Sequence, residues 1–336
     1  ISGRCTEAGS GRGCGNHQRI KKRARSSALF AKWSGNMGSK KGYFFKKKLT
    51  LFAFVLPGAA FMTIMIIFPI ISNIIMSFKN VDLMNFATGD SHFVGLKIYQ
   101  KICRTEVTWI AVKNTLVFTL WCLVFQFPIG FLMALFFGQD FKGAGPLRAV
   151  NVVAWMIPMV AVAGVFKYMF NSDIGIMNRI LMGLHLIQKP VEWLAHGNTA
   201  MAAIIIANIW KGVPFNMILL ATALTTVPQD IYESASIDGA TRIQRFFYIT
   251  VPLLRPAIIS VLTLGFIYTF KVFDLVYVMT GGGPGSSTEM LSTLAYRYSF
   301  SEYNFSQGAA VANILFVMLM AVGMIYIHIV TREDEN

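Results

Sequence analysis

Charge is scarce in this chain. Asp, Glu, Lys and Arg make up 14% of its 336 residues while apolar types make up 55%, against the ~25% charged residues of an ordinary soluble domain. With a mean hydropathy of +0.55, that shortage argues against the two soluble domains the length would allow and for one polytopic membrane domain. Acids are nearly missing from one end. Residues 1–48 hold 13 Lys or Arg and a single acid, Glu7, whereas the other 288 hold 17 bases and 15 acids. The net +14 is therefore an N-terminal property. A nucleic-acid partner for that arm is conceivable. A basic segment beside a first apolar span better fits a topology signal that keeps this end in the cytoplasm, and no nucleic-acid partner is expected.

Reactive chemistry is missing too. Four cysteines, Cys5, Cys14, Cys103 and Cys122, lack metal-ligand spacing and give no disulfide framework. The five histidines are dispersed, so no metal site is expected. No GxxxxGK[ST] phosphate loop, HExxH, CxxC pair or GxSxG occurs. The chain is thus expected to bind no cofactor, to hydrolyse no ATP itself and to catalyse no covalent step. A cleaved signal peptide is not expected, because the run after Lys48 is too long for one. No Met opens the sequence, and Ile1–Asn36 lacks apolar periodicity. Met37 reads as a natural start, with 1–36 as upstream translation or a disordered arm.

What is present is apolar length. Six stretches reach the ~20 residues a spanning helix needs: Leu49–Phe78, Ala111–Phe137, Ala149–Phe170, Ala200–Leu224, Ala257–Met279 and Ala309–Val330. The expected fold is an all-α polytopic helix bundle. Its domain covers residues 49–330, between the basic arm 1–48 and a short cytoplasmic tail, 331–336. Pro57 and Pro69, Pro128, Pro158 and Pro214 interrupt the first four spans. Such breaks survive in lipid only where neighbours or a cavity satisfy the freed carbonyls, which suggests a pathway. With the N-terminus inside, the connections after spans two and four face the cytoplasm. Of the outer connections, Phe93–Tyr99 reads as a turn into a short helix, Asn171–Gly175 as an Asx turn, and Gly281–Gly285 as loop punctuation.

The longest polar interruption in the second half is Glu233–Pro252, ESASIDGATRIQRFFYITVP, within an inner connection 226–256. It reads as two short helices: one starting at Thr226-Val227-Pro228, a break at Gly239, and one over Thr241–Ile249 ended by Pro252. A narrow apolar strip among charges suits either a partner's groove or lipid head groups, with Arg242 and Arg245 reaching to the interface.

This stretch resembles the cytoplasmic coupling loop of bacterial ABC-importer permeases: Glu-Ala-Ala, three residues, Gly, nine residues, Ile-x-Leu-Pro. Glu233, Ala235, Gly239, Ile249 and Pro252 match, while Ser234 and Val251 replace an Ala and a Leu. Asp238 and Ala240 beside Gly239, Pro214-Phe215, Phe93–Tyr99, Asn114-Thr115 and Thr280–Pro284 with Thr288 are similar to the carbohydrate-uptake branch, the maltose-type and multiple-sugar permeases. The resemblance implies a multi-pass subunit of the bacterial cell membrane that moves a sugar or oligosaccharide by alternating access. Its implied partners are a second, similar permease, two copies of an ATP-binding subunit that hold ATP and Mg, and an extracytoplasmic solute-binding protein. The coupling residues it implies are Glu233, Ala235, Asp238, Gly239, Ala240, Ile249 and Pro252.

Polar residues inside spans are expensive, so they face a cavity or a partner. Asn208, Trp210, Lys211 and Asn216 in span four, and Tyr268, Lys271, Asp274 and Tyr277 in span five, mix rings with hydrogen-bonding groups in the way a sugar requires. Lys271 and Asp274, three apart, are expected on one helix face, as a structural pair or as pathway lining. Asn313 is expected to join helices, and Gln126 is open. The rivals are a similar permease for glycerol phosphate, a polyamine or an osmolyte, and a secondary transporter or channel, which would need an ion relay or an inverted repeat.

Overall fold

The computed structural model describes Phe52 and residues 54–139 and 141–334. The basic arm 1–48, with the expectation about residues 1–36, lies outside the described residues, as does the end of the tail. The chain divides into two units at Ile71/Ser72. The first contains most of the apolar helix α1, Phe54–Ser77. The second is a helical bundle. Among the described residues its regular structure is helix, apart from one bridge pairing Lys79 with Phe93. The all-α expectation holds.

Two short helices follow α1, namely α2 (Leu83–Thr88) and α3 (Lys97–Arg104). The long α4 (Glu106–Phe137) is span two. Span three is a bent pair, α5 (Ala144–Met156) and α6 (Met159–Met169), meeting at 96°. After α7 (Ile176–Gly183) comes span four, α8 (Gly197–Leu224). The polar connection forms α9 (Gln229–Ile237) and α10 (Arg242–Leu253). A 72° bend leads from α10 into α11 (Arg255–Phe270). Beyond it are α12 (Asp274–Met279), α13 (Leu291–Tyr296) and α14 (Phe305–Asp334). Among the described residues, four helices are long and apolar enough to cross a membrane, or up to six spans if each bent pair is one span.

Two spans differ from expectation. Span three breaks at Ile157-Pro158, where Ile157 is extended, because the residue before a proline avoids the helical region. The expected span Ala257–Met279 does not exist as one helix. It starts earlier, at Arg255, and ends at Phe270, with Phe273 at φ −125°, ψ −60° before α12. Inside α4 and α8, in contrast, Pro128 and Pro214 are carried without a break.

Close approach fixes the direction of the helices. A Cβ on Gly130 would sit 2.6 Å from Asn216 Cβ, and one on Gly212 would sit 2.5 Å from the Gln126 amide. Residue 126 therefore meets 212 and residue 130 meets 216, so α4 and α8 run parallel. Both start at the same end. Asn114 Nδ2 donates to the Ser287 carbonyl at 3.0 Å, and Gly197 lies against the Ser287 side chain. Both finish where Ala134, Phe137, Leu220 and Leu254 pack in one core cluster. Parallel neighbours need a return crossing between them, and the bent pair α5–α6 supplies it. Val152 packs at the Phe137 end, while Val162 and Phe166 pack with Phe118 and Leu275 towards the Asn114 end.

Polar side chains tie this frame. Asn313 donates to Ser77 Oγ at 2.9 Å and accepts from Asn73 Nδ2 at 2.7 Å, the helix-joining role expected of it. Arg148 donates to the Phe137 carbonyl, capping the end of α4.

The glycine contacts predict a graded response to alanine. Gly130→Ala, which meets backbone and Asn216 Cβ, should cost about 1–3 kcal/mol of stability. Gly212→Ala, which meets a side-chain amide, should cost less, and Gly183→Ala, which meets nothing within 4 Å, least. Thermal unfolding in detergent checks this order.

Candidate functional site

A cleft of about 220 Å³ opens between α4, the α5–α6 break, α8 and α11. Its walls are Gln126, Trp155, Met159, Asn208, Lys211, Gly212, Phe215, Asn216, Gly265, Tyr268 and Thr269. The aromatic wall is a corner of three rings. Trp155 stacks on Phe215 at 5.7 Å, and Phe215 meets Tyr268 edge-on at 5.5 Å. Opposite it are amides and a hydroxyl. Gln126 Nε2 donates to the Asn208 carbonyl at 2.8 Å. Asn216 Nδ2 donates back to the Gly212 carbonyl at 3.0 Å, leaving its buried Oδ1 with no partner among the described residues. Gly212 and Gly265 are the small positions that leave room.

Four of the expected lining residues meet here: Asn208, Lys211, Asn216 and Tyr268. The other four lie elsewhere. Trp210 lies outside the cleft, against Phe166 at 5.6 Å. Tyr277 belongs to an aromatic group with Phe273 and Tyr296, 4.9 Å from the Tyr296 ring. Lys271 and Asp274 do not share a helix face, because the chain leaves the helix between them. Among the described residues, Lys271 and Asp274 take part in no ion pair, in contrast to Arg297 with Glu289 and Glu302. Met159, Gly212 and Gly265 were not expected in the cleft, nor were Trp155, Phe215 and Thr269. Trp155 enters only through the break, Phe215 stood beside a noticed proline, and Thr269 is one residue from Tyr268.

The polar connection between α8 and α11 is a built unit. Gly239 sits at φ +81° and Ala240 N donates to the Ala235 carbonyl at 2.9 Å, closing α9. This is the left-handed helix end that glycine favours. Thr241 and Gln244 then form a capping box that opens α10. Tyr232 and Thr250 hydroxyls meet at 2.9 Å, and Arg245 donates to Ser236 Oγ at 2.6 Å, so the two helices are clasped. Phe246 turns inward onto Phe131 of α4 at 5.3 Å. Glu233, Asp238 and Gly239 are exposed, and Ala235, Ala240 and Ile249 are half-buried. Ile237, Phe247 and Tyr248 stand out at 87%, 61% and 80% exposure. Pro252 does not end the second helix, as expected from its type. A wide turn over Phe246–Thr250 shifts the hydrogen-bond register, and the helix runs on to Leu253. Pro228, expected in the first turn, is itself the cap of α9.

At the Asn114 end the loop after α12 closes over a buried carboxylate. Glu289 accepts from Thr293 Oγ1 at 2.6 Å and pairs with Arg297 Nη1 at 2.5 Å. Gly282, at φ +87°, approaches it so closely that a Cβ would lie 2.7 Å from Oε2. Burial pushes the Glu289 carboxyl up, against the opposing pull of Thr293 and Arg297. A raised acid binds its proton more tightly in the folded chain. Its stabilising contribution is complete below the unfolded value of about 4.3 and is lost as pH rises through the folded value. Glu289→Gln should therefore flatten the pH dependence of thermal stability on that rise; an unchanged slope assigns it to other groups.

A family model described as "Binding-protein-dependent transport system inner membrane component" matches residues 126–332. The trehalose/maltose transport system permease protein MalF of Thermococcus litoralis is 36% identical over 237 residues, 70% of this chain and 79% of that protein. The sulfoquinovosyl glycerol transport system permease protein SmoG of Agrobacterium fabrum is 30% identical, covering 83% of this chain and 89% of its own. The diacetylchitobiose uptake system permease protein DasB of Streptomyces coelicolor is 28% identical, with 86% and 88% covered. Among solved structures, a bacterial ABC transporter involved in the import of the acidic polysaccharide alginate is similar with a TM-score of 0.74 and 25% identity. That match covers 85% of this chain and 96% of that one.

Proposed function

The chain belongs to the family of binding-protein-dependent transport system inner membrane components, as a permease of the carbohydrate ABC-importer type, and from that premise we propose that its cleft is where the sugar crosses. It is a multi-pass membrane protein and a permease subunit of a sugar importer. The observation that carries the assignment of the cleft is the meeting of Asn208, Asn216, Gln126 and Tyr268 with Trp155 and Phe215. A pyranose has apolar C–H faces and a rim of hydroxyls. The rings suit its faces, and Asn216 Oδ1, buried and unpartnered, suits a hydroxyl donor, since a buried acceptor left unmade is costly. Trp210, Lys271, Asp274 and Tyr277 fall outside this first contact set.

Energy enters through the clasped connection. Glu233, Ala235, Asp238, Gly239, Ala240, Ile249 and Pro252 form the surface offered to an ATP-binding subunit, of which the importer has two, carrying ATP and Mg. A second permease completes the bundle, and a solute-binding protein delivers the sugar at the Asn114 end. The N-terminus and the 226–256 connection face the cytoplasm, within a transmembrane domain of residues 49–330. The geometry gives a route for the coupling. The connection joins α8 to α11, and these two helices are walls of the cleft. Phe246 also bears on α4, the third wall. A push on the clasp therefore moves three walls together, which is what alternating access requires.

Two substitutions test this. Gly239 has open space around it but a left-handed backbone, so shape and strain separate. Gly239→Val, strained by about 1–2 kcal/mol, should uncouple ATP hydrolysis from uptake, while Gly239→Asn, which tolerates that backbone, should keep most transport. Equal uptake in both variants would remove the bend from coupling. In the cleft, Tyr268→Ala should reduce uptake roughly 3- to 10-fold, the loss of one aromatic contact, with membrane insertion unchanged. Uptake kinetics identical to the native protein would place the sugar elsewhere.

A further inference from the structure

The cleft carries one charged side chain, Lys211, and no carboxylate. A cation inside a span costs several kcal/mol unless something polar meets it. Lys211 Nζ meets the carbonyls of Trp155 and Ile157, the latter at 2.5 Å, with Ala154 at 3.5 Å. These carbonyls lie at the end of α5, where the 96° break removes their helical partners. They satisfy the ammonium's donors, but as neutral groups they leave its charge uncompensated.

A second cation stands nearby. Lys271 caps the end of α11, and its Nζ lies 5.2 Å from the centroid of the Tyr268 ring. Asp274, three residues on, lies across the break in the helix and makes no ion pair with it. Tyr268 thus lines the cleft with one cation over its ring, while another stands on the α8 wall. The surroundings of the sugar are net positive, and the rings and amides that complete the walls are neutral.

Resting on the carbohydrate reading above, we propose that the saccharide carried through this cleft bears an acidic group, which Lys211 reads with Lys271 in support. The carbonyls of the α5 break are then interchangeable acceptors. When a carboxylate enters, Lys211 turns part of its donor set from the break to the acid, since an ionised acceptor adds a charge–charge attraction that the neutral carbonyls lack. The same exchange loosens the hold of α8 on the bend of span three, so recognition of the acid and release of the bend are one event. A lysine suits this better than an arginine, being a point charge on a flexible stem whose donors can be shared out singly.

The test uses the importer purified with this chain in lipid nanodiscs and matched probe pairs: cellobiose with cellobiouronic acid, and glucosylglycerol with glucuronosylglycerol. Equilibrium dialysis at low salt should give the acidic member a Kd about 10-fold below its neutral counterpart in at least one pair, a difference of ~1.4 kcal/mol. Added salt should shrink the gap. Lys211→Met should bring the ratio close to one while changing the neutral member's affinity much less, which loss of packing alone would not do. Lys271→Met, outside α8, should lower the ratio in part and serves if the first variant does not fold. Neutral members bound as tightly as acidic ones, or a ratio unchanged in Lys211→Met, or in Lys271→Met where that variant stands in, overturns this proposal while leaving the carbohydrate reading intact. Failure of all four probes to bind overturns both.

Discussion

The bundle rests on the parallel contact of α4 with α8. At this contact a glycine on each helix faces a polar side chain of the other, Gly130 against Asn216 and Gly212 against Gln126. In lipid there is little hydrophobic drive to bring helices together, so small residues and buried amides decide where backbones meet. Gln126 completes the contact by donating to the Asn208 carbonyl. The direction of every later crossing follows, because two parallel helices force the chain between them to return. The same amides that lock the pair, Gln126 and Asn216, line the cleft. The site is therefore an extension of the packing and not a separate feature laid on it.

A second constraint shapes the cleft: broken helices in a membrane must have their freed carbonyls satisfied. Lys211 meets those of the α5 break. Ser292 Oγ donates to the Val272 carbonyl at 2.5 Å in the gap after α11. At the bend between α10 and α11 the helical bond from Leu254 N to the Thr250 carbonyl is kept, at 3.0 Å. Each break thus has hydrogen bonds beside it that hold its arrangement. The α5–α6 break and the end of α11 both adjoin the cleft, so the residues that hold them also shape its walls.

Much of this was legible in the sequence. Six apolar runs, the polar connection and its Gly239 bend all come from composition, length and turn chemistry, and Asn313 joins helices as an intramembrane amide should. What escaped has physical causes. Whether a proline breaks its helix depends on the neighbours: Pro128 and Pro214 sit inside continuous helices, while Pro158 marks a break whose carbonyls have Lys211 to meet them. The end of α11 at Phe270 carries no Gly or Pro, so spacing placed Lys271 and Asp274 on a shared face that the fold does not form. Trp210 and Lys211 are adjacent in sequence, yet only Lys211 lines the cleft. Trp155 reaches the cleft only because the chain turns beside it. Four of the eight expected lining residues surround this cleft and four lie elsewhere, because polarity inside a span marks a cavity or a partner without saying which one.

The central claim is that the cleft between α4, α8 and α11 lies on the sugar's path and opens to the two sides of the membrane in turn. Accessibility of one cleft position tests it most directly. Phe215→Cys, in a chain whose native cysteines are replaced, can be probed with a membrane-impermeant thiol reagent from each side of vesicles containing the complete importer. The account predicts labelling from one side in the resting importer and from the opposite side when ATP hydrolysis is arrested. Labelling that is the same in both states, or absent from both sides in both states, would contradict it.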